Sequence, residues 1–511
     1  MFSEVNVPYI SITPPPGIKK NGTDYANKNS WIDGNLVRFE NGFLANVGGW
    51  RKLKDTPVVG TPIGAYAYYT NTNRQVLAIG TREKVYVNYD NQWYDITPTG
   101  FTGDVANSPL GYGAYNWGAE DYGDARSQSG LAFNTRPFSF ANFGENLIFV
   151  CGSDQKIYKW RPDNGSGTTP PTPDSQAVQL TNAPLGAQGI LVTNERHIFS
   201  FGNTSNPRQI KWSSRETDTT WAPTATNTAG DLTVTSGGLI QGGVKFGADV
   251  LVFTDVGLNK IYYTGAPFIY GITDAGQNCR AASMRTVVNT GNFVAWMGDN
   301  SFYLYSGQVQ KIPSDVHDFV FDNINYVYRA ASCGGHNQLF NEIWWFFPSG
   351  LSKTPNKYVI WNYMEKTWSI GELDRSFWID QGVFSFPISG DSSGNLYEHE
   401  TNSIQTSPNN TAVPFCKSGP IQISQGDNLA QVNQILPDSD ATNLPGVTLG
   451  FKGKNTPLGP ETDFGNFTFE TDGYTDARFT ARQINLEVTG DANQDFQVGD
   501  IRLDVKARGR R

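Results

Sequence analysis

Cysteine, histidine and methionine are scarce in this sequence, at four residues each among 511. Cys151, Cys279, Cys333 and Cys416 lie far apart and form no CxxC pair. This speaks against a disulfide framework or a thiolate metal site, and scattered reduced thiols are expected. His197, His317, His336 and His399 share no spacing that suggests ligation. HExxH, GxSxG, a P-loop and a GxGxxG after a strand are all missing. No run approaches 18 apolar residues, and "MFSEVNVPYISITPPPG" has neither a basic stretch nor an apolar core. Neither membrane insertion nor a signal peptide is expected, and synthesis belongs in a reducing cytoplasm.

Charge is also thin: 17% of residues are charged, the net charge is −9 and the pI about 5.1. That excludes a protein whose whole surface grips nucleic acid through clustered cations. It allows one past which DNA slides, because a negative wall repels phosphate. The one basic run is the terminal "KARGRR", read as a solvated tail rather than a docking tail for an acidic partner.

What is abundant is Tyr (23), Trp (13), Phe (31) and Gly (54), in a chain poor in helix periodicity. This composition predicts an all-β protein rich in turns, too long for one compact core. Through the middle runs a repeated grammar: apolar strand, Gly/Asp/Asn turn, second strand rich in Tyr or Trp. It occurs at 74–96, 145–160, 195–212, 248–265, 292–307 and 341–370, and more weakly at 383–400. Each unit reads as a hairpin. Their recurrence at intervals of roughly 40 to 50 residues matches four-stranded propeller blades. A β-propeller of six or seven blades is therefore predicted over 61–400. The first interval is longer, and the excess at 97–130 reads as an inserted, contact-making loop. Trp93, Trp221 and Trp368 are expected to fill wedges between blades.

Residues 401–414 read as a polar linker, and 415–511 alternate apolar and polar residues as in a small antiparallel sandwich or barrel. Residues 1–60 form an N-terminal arm with no periodicity of its own. In it Trp31, Phe39, Phe43 and Trp50 are expected to anchor the chain against the β domains.

Signs of chemistry are few. Cys333 and His336 in "SCGGHNQLF" are three residues apart, but a turn before a strand is the better reading than a thiol–imidazole pair. Glu120, Asp121, Asp124, Asp491 and Asp500 sit in acidic turns without an EF-hand pattern. "SRETDTTW" (214–221) is close to the Asp-box of sialidase-type propellers, S-x-D-x-G-x-T-W. Glu216 and Asp218 replace its Asp and Gly, and the box stabilises a turn rather than catalysing. No catalytic, cofactor-binding or metal-binding residue is assigned, and no cofactor is expected.

Three stretches carry a family resemblance: "NGTDYANKNSWIDGNLVRFENGFLANVGGWRKL" near the start, "RQIKWSSRETDTTWAPTATNTAGDL" in the middle and "ARQINLEVTGDANQDFQVGDIRLDVKARGRR" at the end. Together they resemble the tail nozzle, or tail tubular protein B, family of short-tailed phages (podoviruses), related to packaged-DNA stabilisation proteins. The resemblance implies a non-enzymatic virion subunit, made in the host cytoplasm and assembled into the tail. As a homo-hexamer it would ring the DNA exit channel below an adaptor protein and carry tail fibres or spikes. Double-stranded DNA would pass through without sequence-specific binding. The alternatives are a receptor-binding or fibre-docking propeller of the same tail, or a glycan-binding or glycan-cleaving propeller.

Overall fold

The computed structural model describes residues 9–101, 103, 137–151, 154–168, 171–401, 403–404, 413–424, 428–436, 446–454, 459–469, 473–491 and 495–509. Seven sheets follow one another between residues 62 and 404, antiparallel throughout except that Ser403–Ile404 adds a parallel edge to the last. Blades 1 to 6 have four strands each, and their innermost strands begin at Pro62, Phe138, Gly189, Ile240, Val288 and Cys333. Blade 7 supplies Phe377–Ile379, Ile388–Gly390 and Leu396–His399. Its fourth strand is Gly49–Lys52 from the N-terminal arm, with Trp50 opposite His399 and Lys52 opposite Tyr397. The inner strand of blade 7 packs against that of blade 1, so the ring is closed. The propeller has seven blades.

Why the hairpins were visible follows from their burial. The second strand of a blade lies between both neighbouring blades, so its two faces are apolar and the run is continuous rather than alternating. Glu342–Phe347 and Asn146–Cys151 are buried almost throughout. The outer strand meets solvent, as Tyr270–Gln277 does along much of its length. One apolar cluster fills each of the seven wedges. Aromatic rings enter these wedges over glycines. A Cβ on Gly243 would stand 2.3 Å from the Phe201 ring of blade 3, and one on Gly335 2.3 Å from Trp378 of blade 7.

The three tryptophans divide. Trp368 is 2% exposed, packs on Phe302 of blade 5 and donates to the Pro313 carbonyl at 3.1 Å. Trp221 is buried between blades 2 and 3. Trp93 is only half-buried, with the Lys54 ammonium 5.6 Å from its ring centroid.

Beyond residue 413 the strands form a sandwich. Its first sheet orders Ile10–Ser11, Arg502–Ala507, Ala430–Leu436 and Thr475–Ala481. The second joins Trp31–Asn35, Phe415–Ser418, Gln483–Thr489, Thr448–Lys454 and Thr462–Thr468. Thr475–Ala481 alternates buried and exposed residues because one face is wet. The arm thus divides between both domains. Its early strands complete the sandwich sheets, and a hairpin of Val37–Glu40 and Phe43–Asn46 pairs with Gln497–Val498. Trp31, Phe39 and Trp50 are buried, whereas Phe43, beside the hairpin turn, is 40% exposed and belongs to no buried cluster among the described residues. Beyond residues 97–101 and 103, the 97–130 insertion lies outside the described residues, as does most of the 401–414 linker.

Candidate functional site

The densest polar chemistry lies where the arm crosses blades 6 and 7. Arg38, on a strand whose Val37 and Phe39 enter the core, is 1% exposed. Its guanidinium meets Glu400 at 2.5 and 3.0 Å and Glu342 at 3.1 and 3.2 Å, and stacks 3.6 Å from the centroid of the Phe340 ring. Glu342 accepts the Trp344 indole N–H at 3.0 Å, and Glu400 accepts the Gly48 amide and the Asn337 amide group, both at 2.9 Å. Burial pushes the Glu342 carboxyl up to about 7, although Arg38 pulls the other way. Burial also opposes the charge on Arg38, but the two carboxylates overcome it and hold the guanidinium above its usual range. Two further bonds fix the arm: Leu36 N–H donates to the Tyr358 hydroxyl at 2.8 Å, and Glu372 N–H to Asn35 Oδ1 at 2.9 Å.

A second buried cluster adjoins it. Arg375 Nε and Ser389 Oγ both donate to His399 Nε2, at 2.9 and 2.7 Å. The imidazole therefore carries its proton on Nδ1. Burial first, then Arg375, holds its pKa well below the ordinary value, and burial lowers that of Arg375 to about 10. Arg375 stacks over Trp50 and Tyr397, 4.9 and 4.3 Å from their centroids. The Ser389–His399 pair has the bond length of a nucleophile and its base. Yet Ser389 is 0% and His399 3% exposed, and Arg375 occupies the nitrogen that would take the proton. The cluster joins the arm to blade 7.

Other expectations fall as follows. "SCGGHN" is the innermost strand of blade 6, not a turn, because its backbone pairs with Glu342–Phe347. Three residues apart on a strand, Cys333 and His336 face opposite ways. Cys333 lies against the Arg375 carbonyl, its thiol pushed up to about 11 by burial, while His336 bridges Asp380 at 2.8 Å and Tyr363 at 3.1 Å. His197 is buried in blade 3 against the Ser213 carbonyl, and His317 sits on the short helix His317–Phe321. The Asp-box-like stretch is a turn: Ser214 N–H donates to Thr220 O at 2.8 Å, and Glu216 has φ of +60°. Glu120, Asp121 and Asp124 lie outside the described residues. Among the described residues no group of three or more His, Cys, Asp or Glu is placed to hold a metal. Sequence reasoning passed over Arg38, Glu342, Arg375 and Glu400, although "LVRFE" and "NEIWWFF" set Arg38 and Glu342 inside strands with apolar neighbours.

No family model and no curated protein matches this chain. Solved structures do. A catalytically inactive virginiamycin B lyase from Staphylococcus aureus, with quinupristin, is 9% identical with a TM-score of 0.37, over 68% of this chain and 97% of that one. YCF48 from Cyanidioschyzon merolae is 9% identical with a TM-score of 0.36, over 69% and 98%. YCF48 bound to D1 peptide is 10% identical with a TM-score of 0.39, over 68% and 94%. Scores this low say nothing of activity, and the propeller rests on its own sheets and closed ring.

Proposed function

We propose that the protein is a structural, non-enzymatic subunit of a short-tailed phage tail nozzle. It would assemble as a homo-hexameric ring around the DNA exit channel, retaining the genome and guiding its ejection. One observation carries the reading. The two terminal stretches that resemble the nozzle family lie some 450 residues apart in sequence yet are neighbours in space. Leu44 and Ala45 pair with Val498 and Gln497, and Phe496 N–H donates to Asn46 Oδ1 at 3.0 Å. The two stretches meet where sandwich and propeller join, and Arg38, Glu342 and Glu400 beside that joint are buried, which supports an architectural role for them.

A ring subunit presents two different surfaces that match around the circle. Acidic composition suits a channel from which DNA must leave freely. Single-particle imaging of the purified chain, alone and with an adaptor protein, tests the proposal. A hollow sixfold ring is the expected result. A monomer that binds or cleaves oligosaccharide would overturn it, and a ringless protein that binds host envelope extracts would favour a receptor-binding propeller.

A further inference from the structure

The acidic total conceals one face of opposite sign. In the first sandwich sheet, Leu503, Val505, Val432, Ala477 and Phe479 point into the core. The opposite face exposes Arg502 and Lys506 on one strand and Arg478 two strands away. Arg508 follows on the same side and donates from Nε to Gln431 at 2.9 Å. Arg478, Arg502 and Lys506 make no ion pair among the described residues. Some propeller cations are instead neutralised in place: Arg74–Asp90, Lys84–Asp95, Lys159–Asp218, Arg161–Asp174 and Lys260–Asp249 pair within 2.9 Å. The face also carries two carboxylates. Asp504 accepts from Asn433 at 3.0 Å and Asp476 from Gln434 at 3.2 Å, so neither is drawn into an ion pair, and four cations against two carboxylates leave the face net positive.

We infer that this sheet face is a contact surface for the phosphate backbone of duplex DNA. The inference rests on the nozzle reading and gives one wall of the channel a holding role that the acidic remainder lacks. Strand geometry sets Arg502 and Lys506 about 13 Å apart, with Arg478 about 10 Å to the side. About 13 Å of duplex carries roughly eight phosphates, enough to engage every cation on the patch. Between these cations lie amides, a hydroxyl and carboxylates, and the exposed Tyr9 and Tyr474 stand at the two edges of the face. A flat sheet lies along the backbone rather than entering a groove, so it positions DNA without reading sequence.

The test is fluorescence anisotropy of the full chain with a random duplex of about 30 base pairs, from about 50 mM salt upward. The triple variant Arg478→Gln/Arg502→Gln/Lys506→Gln is compared with a control, Lys84→Gln/Arg161→Gln, each checked for an unchanged thermal midpoint. The expected result is salt-sensitive binding whose log–log slope falls by about 3 in the triple variant and is unmoved in the control. No duplex binding by the parent chain, or an unchanged slope in the triple variant, overturns the inference. So does binding to polyglutamate in place of DNA, which would indicate an acidic polypeptide partner. Imaging of the same samples separates the two readings. Rings that ignore DNA sink this face alone, whereas slope-dependent DNA binding without rings upholds the face and sinks the nozzle.

Discussion

The wedge between blades 3 and 4 and the seam between the arm and blades 6 and 7 solve the same packing problem with different chemistry. In the wedge, ring meets ring: Tyr270 lies edge-on to Phe199 at 4.8 Å and to Trp212 at 5.2 Å, and burial of aromatic area does the holding. In the seam, aromatic rings surround charge, with Arg38 between two glutamates and Arg375 between a tryptophan and a tyrosine. Apolar packing tolerates small shifts, since any close ring arrangement retains most of its energy. A buried guanidinium tolerates none, because a misplaced partner leaves a charge unmatched in low dielectric. The seam thus specifies which strand closes the ring, where apolar contact alone would accept many.

Deleting residues 1–52 removes the fourth strand of blade 7 and two edge strands of the sandwich. The chain is expected not to reach a cooperative fold, and calorimetry would show no single transition. Replacing Arg38 with Met should destabilise by about 3 to 5 kcal/mol, because Glu342 and Glu400 are left buried without their cation. Trp368→Ala should lose a similar amount, about 3 to 5 kcal/mol, through a cavity instead. Urea unfolding measures both, and adding Glu342→Gln should partly rescue the first change and leave the second untouched.

Dependence on pH sharpens the contrast further. The pKa of Glu342 is raised on folding, so its contribution is fully present below the ordinary carboxylate value of 4.5 and is lost as pH rises to about 7. The pKa of His399 is lowered, so its contribution is present above 6.5 and is lost as pH falls. Thermal midpoints of Glu342→Gln should flatten the first slope and those of His399→Gln the second. The smallest effect belongs to Phe43→Ala, where exposure predicts a change of about 0.5 kcal/mol or less in the isolated chain.

Much of the fold was legible because a blade writes itself locally. Every predicted unit contains the middle pair of strands of a blade, and those at 74–96 and 341–370 reach into the outer strand as well, since full burial forces continuous apolar runs such as "NLIFVC" and "EIWWFF". The weak unit at 383–400 is weak for a physical reason: its fourth strand comes from residues 49–52, far off in sequence. Pairings such as Trp50 with His399 leave no local period, so the arm looked featureless. The buried clusters were hidden in another way. Arg38 and Glu342 look in sequence like solvent-facing charges, and only the crossing of three segments removes them from water.

Hydrogen exchange through the arm tests most directly whether it is part of the folded ring. Amides of Gly49–Lys52 should exchange as slowly as those of Leu396–His399, and Arg38→Met should accelerate both together. Fast exchange of Gly49–Lys52 in the parent chain, with Leu396–His399 still protected, would contradict closure of the propeller by its own N-terminal arm.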